Sequence, residues 1–218
     1  MVEQEQQVSP SIAPNACPDE LTVADNEVPV GISARHIHLS QAEIDKLFGK
    51  GYKLQKYRRL YQEKEFAAKE TLTVVGPKGV LENVRIIGPS RQSTQIEVSR
   101  TDAFKLGITV PIRDSGDIAE TPGCVLIGPK DVLSLKQGVI IPKAHVHMHP
   151  KDAKQLKLKE KDRVQVAVCS ERPVTFNDVL IRIDPAVKLE MHLDTDEANA
   201  AFVENGKNAF IIPQPLLS

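Results

Sequence analysis

The chain has no tryptophan, only 4% aromatic residues and three cysteines among 218 residues. With so few rings, the core must be built from Val, Ile and Leu. Cys17, Cys124 and Cys169 are odd in number and far apart. That excludes a disulfide framework and a cysteine-based zinc site, and fits a reducing compartment. No apolar run approaches the roughly 20 residues of a membrane helix. The opening MVEQEQQVSPSIAPNA has neither the basic nor the apolar region of a signal peptide. Neither sign of charge is in excess: 28 Lys and Arg against 29 Asp and Glu leave a net charge of -1. There is no basic field to attract nucleic acid. These absences predict a cytoplasmic protein with neither a nucleic-acid nor a membrane partner.

Residues 1–27 are rich in Gln, Glu, Pro and Asp and carry no apolar period, so a disordered tail is expected there. From Val28 onward, short β-branched runs such as VPVGI, TLTVVG, VRIIG, GVIIP, RVQVAV and VLIRI alternate with Gly and Pro. The spacing predicts a mainly β chain of antiparallel barrels or sandwiches rather than alternating β/α units. Residues 49–69 are polar and irregular, and are expected to be an insertion between strands. The phrase Gly-Pro-Lys occurs at residues 76–78 and again at 128–130, marking two sharp turns.

What the chain does have is histidine in pairs. Only six are present, yet His36-Ile37-His38 and His145-Val146-His147 each place two of them one residue apart in an apolar run. On a strand, alternate side chains share a face, so each pair presents both imidazoles together. A faint repeat links the two. HIHLSQAEIDKLFG, QIEVSRTDAFKLGI and HVHMHPKDAKQLKL all read as a strand leading into a capped helix start. Ser40 with Glu43 and Ser99 with Asp102 suit capping boxes; His149 caps the third helix and Pro150 its first turn. In this register Glu97 occupies the column of His38 and His147. His192, in LEMHLDTDE, adds a further imidazole in an alternating strand. Imidazoles with a carboxylate suit zinc or another borderline divalent metal. Six candidates exceed one tetrahedral shell, which points to two metals with open positions.

Basic residues form the second constellation. Arg91 lies in a polar loop six residues before Glu97 and suits bidentate capture of phosphate. Lys78 follows a Gly-Pro turn, and Arg85 precedes IIGPS. Arg35 falls on the strand face opposite His36 and reads as structural.

The ordered set GISARHIHLS, FAAKETLTVVGPKG, NVRIIGPSRQSTQIEVSRTDAFKLGI, PIRDSGDIAETPG, AHVHMHPKDA and EMHLDTDEANAA resembles the propanediol-utilisation type of phosphotransacylase, the phosphate propanoyltransferase family, over about residues 28–203. The resemblance implies two antiparallel β-barrels with short capping helices and a dinuclear zinc site between them. It implies one barrel from residues 28–34 plus 142–212 and another from 35–141. It also implies transfer of a propanoyl or acetyl group between coenzyme A and phosphate, as in propanediol degradation or acetate metabolism, by a homodimer. Carried over, His36, His38 and Glu97 hold one zinc, and His145, His147 and His192 the other, with Glu97 bridging. Arg91 takes phosphate, while Ser33, Lys78, Arg85 and Asn199 take coenzyme A. Family members inside bacterial microcompartments often begin with a short amphipathic helix. MVEQEQQVSPSIAP has none, which favours a cytosolic role over association with a microcompartment shell. Two other readings stand beside this one: a dinuclear hydrolase of an ester, amide or phosphate, and a metal-stapled scaffold with closed ligand shells.

Overall fold

The structure is a computed structural model that describes residues 26–212. The tail expected over residues 1–27 therefore lies outside the described residues, apart from Asn26 and Glu27. The chain runs β1 (Glu27–Ser33), β2 (His36–His38), α1 (Gln41–Phe48), β3 (Lys56–Arg59), β4 (Phe66–Val75), β5 (Val80–Gly88), β6 (Gln95–Glu97) and α2 (Arg100–Leu106). It continues through β7 (Ile112–Arg113), β8 (Val125–Ile127), β9 (Val132–Ser134), β10 (Val139–Pro142), β11 (His145–Met148) and α3 (Pro150–Leu156). It ends with β12 (Arg163–Val168), β13 (Val174–Ile183), β14 (Glu190–Asp194), α4 (Thr195–Ala200) and β15 (Asn208–Ile212). No helix among the described residues is long and apolar enough to cross a membrane.

Two sheets carry the fold. β1, β14, β11, β13, β12 and β15 close into a six-stranded barrel. The other strands form a nine-stranded sheet in the order β7-β10-β6-β2-β5-β4-β8-β9, with β3 paired to β4. Each has its own core. One is built around Ile37, Leu39, Leu72, Val74, Ile86, Ile96, Leu106 and Leu126, the other around Val30, Val146, Met148, Val166, Ile181 and Leu193. In β12, Val164, Val166 and Val168 are buried while Arg163 and Gln165 face solvent, and the alternation ends at the buried Ala167.

Three expectations need correction. First, the pairing is mixed, not antiparallel: β1 with β14, β11 with β13, β2 with β5, and β10 with both β6 and β7 are parallel. A strand that runs into a helix returns by a crossover, and a crossover permits a parallel neighbour. Second, the larger sheet stays open. Its ends, β7 of two residues and the largely exposed β9, are short, which is how edge strands avoid further pairing. Third, residues 49–69 are not irregular throughout. β3 pairs antiparallel with the start of β4, so Lys56–Arg59 and Phe66–Ala68 form a hairpin. All four β3 residues are exposed, which removed any apolar alternation from the sequence signal.

The helices begin as the sequence predicts. Ser40 with Glu43 and Ser99 with Asp102 form complete capping boxes, and His149 caps α3 with Pro150 in its first turn. The two Gly-Pro-Lys turns end helices. Lys78 N–H donates to Leu106 O at the end of α2, and Lys130 N–H donates to Leu47 O at the end of α1. These bonds satisfy terminal carbonyls. They bring backbone close enough that a Cβ at Gly76 would lie 2.3 Å from Leu106 O. Arg35 pairs with Asp102 at 2.9 Å, tying the residue before His36 to the start of α2.

Candidate active site

Four strands, not three, run into capped helices and carry site residues at the same offsets from the cap. β2 carries His36 and His38 before Ser40, and β6 carries Gln95 and Glu97 before Ser99. β11 carries His145 and His147 before His149, and β14 carries Glu190 and His192 before Asp194. Asp194 and Glu197 close the same kind of capping box. The strands pair two by two. β2 lies antiparallel to β6, with His36 opposite Glu97 and His38 opposite Gln95. β11 lies antiparallel to β14, with His145 opposite His192 and His147 opposite Glu190. Directly opposed residues share a face. The register therefore assembles His36, His38 and Glu97 in the sheet and His145, His147 and His192 in the barrel, with the ligating atoms of each group within 4.8 Å of one another.

Within the groups the ring nitrogens converge. His36 Nδ1 lies 2.9 Å from Ala34 O, and His145 Nδ1 lies 2.8 Å from Lys143 O. A carbonyl only accepts, so Nδ1 carries the proton and the neutral ring keeps a lone pair on Nε2. His36 Nε2 lies 3.1 Å from His38 Nε2, and His145 Nε2 lies 3.2 Å from His147 Nε2. Glu97 adds Oε2 at 3.5 Å from His36 Nε2 and Oε1 at 3.8 Å from His38 Nε2. A tetrahedron with bonds of 2.0–2.1 Å has an edge of about 3.3 Å, so these separations fit donors around one zinc-like ion. His38 Nδ1 is buried without a hydrogen-bond partner; the Ile87 backbone lies close enough to act on it but outside hydrogen-bonding geometry.

Burial favours the neutral ring, the form that binds metal, at His38, His145 and His147. Burial first, then His36, drives His38 well below its ordinary value. Burial and His192 bring His145 to about 3, and burial with His145 and His192 brings His147 to about 2. Burial alone would raise Glu97, but His36, His38, Arg91 and the Ser115 hydroxyl together hold it down to about 2. The Glu97 charge also reaches His145 and His147, so the two groups interact electrostatically.

Arg91 stands beside the first group. Its Nη1 donates to Ser115 Oγ at 3.3 Å, and that hydroxyl donates to Glu97 Oε1 at 3.0 Å. Its Nη2 pairs with Glu65 at 2.8 Å. Arg85 lies opposite His36 in the β2–β5 register, donates to Ala68 O and Lys69 O, and stacks on Tyr57. Ser33 ends β1 opposite Asp194. Lys78 and Asn199 are exposed, and no described hydrogen bond or ion pair ties their side chains to the ligand groups.

Sequence reasoning missed four residues here. Gln95 donates to Glu97 Oε1 at 2.6 Å and to Ser115 Oγ at 2.9 Å, while Gly116 N–H donates to Gln95 Oε1 at 2.7 Å. Glu190 lies 2.7 Å from His192 Nε2. Gln62, at the hairpin tip, donates to Glu190 Oε2 at 2.9 Å. Glu190 was legible as the fourth member of the repeat. Ser115 and Gln62 arrive from distant loops and left no periodic signal.

Comparison with known proteins covers the same stretch of the chain. The family description "Phosphate propanoyltransferase" matches residues 29–204. A phosphate propanoyltransferase of Thermotoga maritima is 54% identical over 184 residues, covering 84% of this chain and 88% of that protein. One from Lachnoclostridium phytofermentans is 50% identical, over 85% and 87% of the two chains. One from Priestia megaterium is 48% identical over 88% of each chain. A match of this identity spanning both ligand groups places the chain in the phosphate propanoyltransferase family, as an acyltransferase.

Proposed function

We propose that the protein interconverts a short-chain acyl-coenzyme A, propanoyl- or acetyl-coenzyme A, plus phosphate with the acyl phosphate plus coenzyme A. The observation that carries this reading is the family match across both ligand groups and Arg91. His36, His38 and Glu97 would hold one zinc ion and His145, His147 and His192 a second, in a site between two domains made of residues 28–34 with 142–212 and of residues 35–141. Bound there, such ions would supply Lewis-acid stabilisation of charge that develops on the thioester oxygen or sulfur.

The chain's own groups do the positioning. Arg91, steadied by Ser115, would turn the Nη2 edge now paired with Glu65 toward phosphate beside Glu97. Binding phosphate there exchanges the Glu65 carboxylate for a second anion. A phosphate oxygen attacks the thioester carbonyl carbon, the C–O bond forms, and the C–S bond breaks. The proton of monohydrogen phosphate ends on the departing sulfur, so the products are acyl phosphate and free thiol. No acyl-enzyme is needed, because the nucleophile is the co-substrate itself. Ser33, Lys78, Arg85 and Asn199 would contact coenzyme A. Thiol release from propanoyl-coenzyme A, followed with and without phosphate, tests the reading; release that ignores phosphate would refute it.

A further inference from the structure

Glu190 sits in a niche built for it. On one side is Gly31 of β1, directly opposite His192 in the parallel β1–β14 pair. A Cβ at Gly31 would lie 2.5 Å from Glu190 Oε1 and 2.7 Å from its carboxyl carbon, so any other residue would displace the carboxylate. On the other side is Gln62, 7% exposed, at the tip of the β3–β4 hairpin of the other sheet. Its amide is fully used: Nε2 donates to Lys188 O at 3.1 Å and Glu190 Oε2 at 2.9 Å, and Oε1 accepts from Lys188 N–H at 3.0 Å. Flipping the amide would set donor against donor and oxygen against oxygen, so its orientation is fixed. Glu190 Oε2 in turn meets His192 Nε2 at 2.7 Å.

This completes a pattern. Ala34 O takes the Nδ1–H of His36 and Lys143 O that of His145, fixing which ring nitrogen remains for a ligand. Glu190 is the acceptor for the Nε2–H of His192, the one member of the barrel group whose ring is held by a carboxylate. Acceptors of this kind fix ring orientation and raise ligand basicity. We infer that Glu190 and Gln62 are positioning residues for the barrel ligand group, so that the hairpin of one sheet sets the metal affinity of the other. The inference rests on reading the two histidine groups as metal sites.

The test is a competition titration of purified full-length protein with zinc and a chromophoric chelator, which separates two metal equivalents. Gln62→Leu and Glu190→Gln should each weaken one equivalent 10–100-fold, the size of effect seen when such acceptors are lost, and leave the other unchanged. Gln62→Glu keeps the acceptor for Lys188 N–H but faces Glu190 with a second carboxylate, so it should fail to rescue. Glu65→Gln, in the same turn but paired with Arg91, should leave both equivalents at wild-type affinity. If Gln62→Leu does not fold, Glu190→Gln carries the same decision. Wild-type affinity at both equivalents in the Gln62 and Glu190 variants would overturn the inference. So would equal weakening of both, which would mark Gln62 as a general tie between the sheets. A wild-type protein that binds no metal would refute the metal reading itself.

Discussion

His145 lies directly opposite His192 across the antiparallel β11–β14 pair, as His36 lies opposite Glu97 across β2–β6. The same offset from four helix caps builds both groups, one with three imidazoles and one with two imidazoles and a carboxylate. A two-residue alternation and a cross-strand register are enough to gather six side chains that are up to 156 residues apart, from His36 to His192.

The first prediction concerns metal content. Purified protein should carry two zinc ions per chain, His38→Ala and His147→Ala should each lose one, and chelation should abolish activity. Refilling should raise stability by about 4 kcal/mol for each site at a thousandfold excess of zinc over that site's dissociation constant. Elemental analysis and thermal unfolding measure both; a full complement in either variant would count against the assignment.

Arg91→Ala should raise the phosphate requirement far more than that for acyl-coenzyme A, by a loss on the order of 2–5 kcal/mol if phosphate is desolvated there. Its ion pair with Glu65 is about one-third exposed on both sides, so stability should change by about 1 kcal/mol or less. Lys78→Ala and Arg85→Ala should show the opposite kinetic split. Arg85→Ala should also destabilise, since it leaves two carbonyls without their donor. Steady-state kinetics varying each substrate separate the three; equal weakening toward both substrates in all of them would mean one undivided anion patch.

The metal-stripped protein should lose stability with acid in a defined window. His145 and His147 titrate at about 3 and about 2 in the fold, below the roughly 6.5 of an unfolded histidine. The unfolded chain therefore binds more protons, and stability falls as pH drops below about 6.5. The two rings act on one another, so the slope belongs to the pair and is at most about 1.4 kcal/mol per pH unit for each extra proton the unfolded chain binds. Glu97, held at about 2, adds to the loss below its unfolded value of 4.5. Urea unfolding from about pH 7.5 to about 4.5 measures the histidine part and its extension to about pH 3 the Glu97 part, and a flat profile over the first range would show that the imidazoles are not buried as neutral rings.

The histidine pairs were readable because a strand's period is fixed at two and each pair sits at a constant distance from a helix cap. Glu97 followed from the repeat alone. Glu190 obeys the same spacing and was legible as the fourth member, but only once LEMHLDTDE is set beside the three units that share the His36, Gln95 and His145 column. Gln62 could not be read: it reaches Glu190 across 128 positions, and nothing local marks it. The parallel pairs were hidden for a related reason. Hydrophobic alternation reveals that a strand is half-buried, whereas its direction depends on the crossover that follows. β3 was masked by its charge, since an exposed ribbon keeps no apolar face.

Gly123 offers a stability test away from the ligand groups. A Cβ there would lie 1.9 Å from Leu135 O, a backbone atom that cannot swing aside. Gly123→Ala should cost about 2 kcal/mol or more, with zinc content of the folded fraction unchanged. Chemical denaturation with parallel metal analysis checks this; a loss below about 0.5 kcal/mol would mean that the loop relaxes freely.

The central claim is transfer of the acyl group to phosphate, and its most direct measurement is the product balance. Propanoyl-coenzyme A and phosphate are incubated with the zinc-loaded enzyme, and free thiol, acyl phosphate and free propanoate are quantified together. The account predicts one acyl phosphate for each thiol released, and no release above background when phosphate is omitted. Thiol release that persists without phosphate, with free propanoate as its partner, would contradict it.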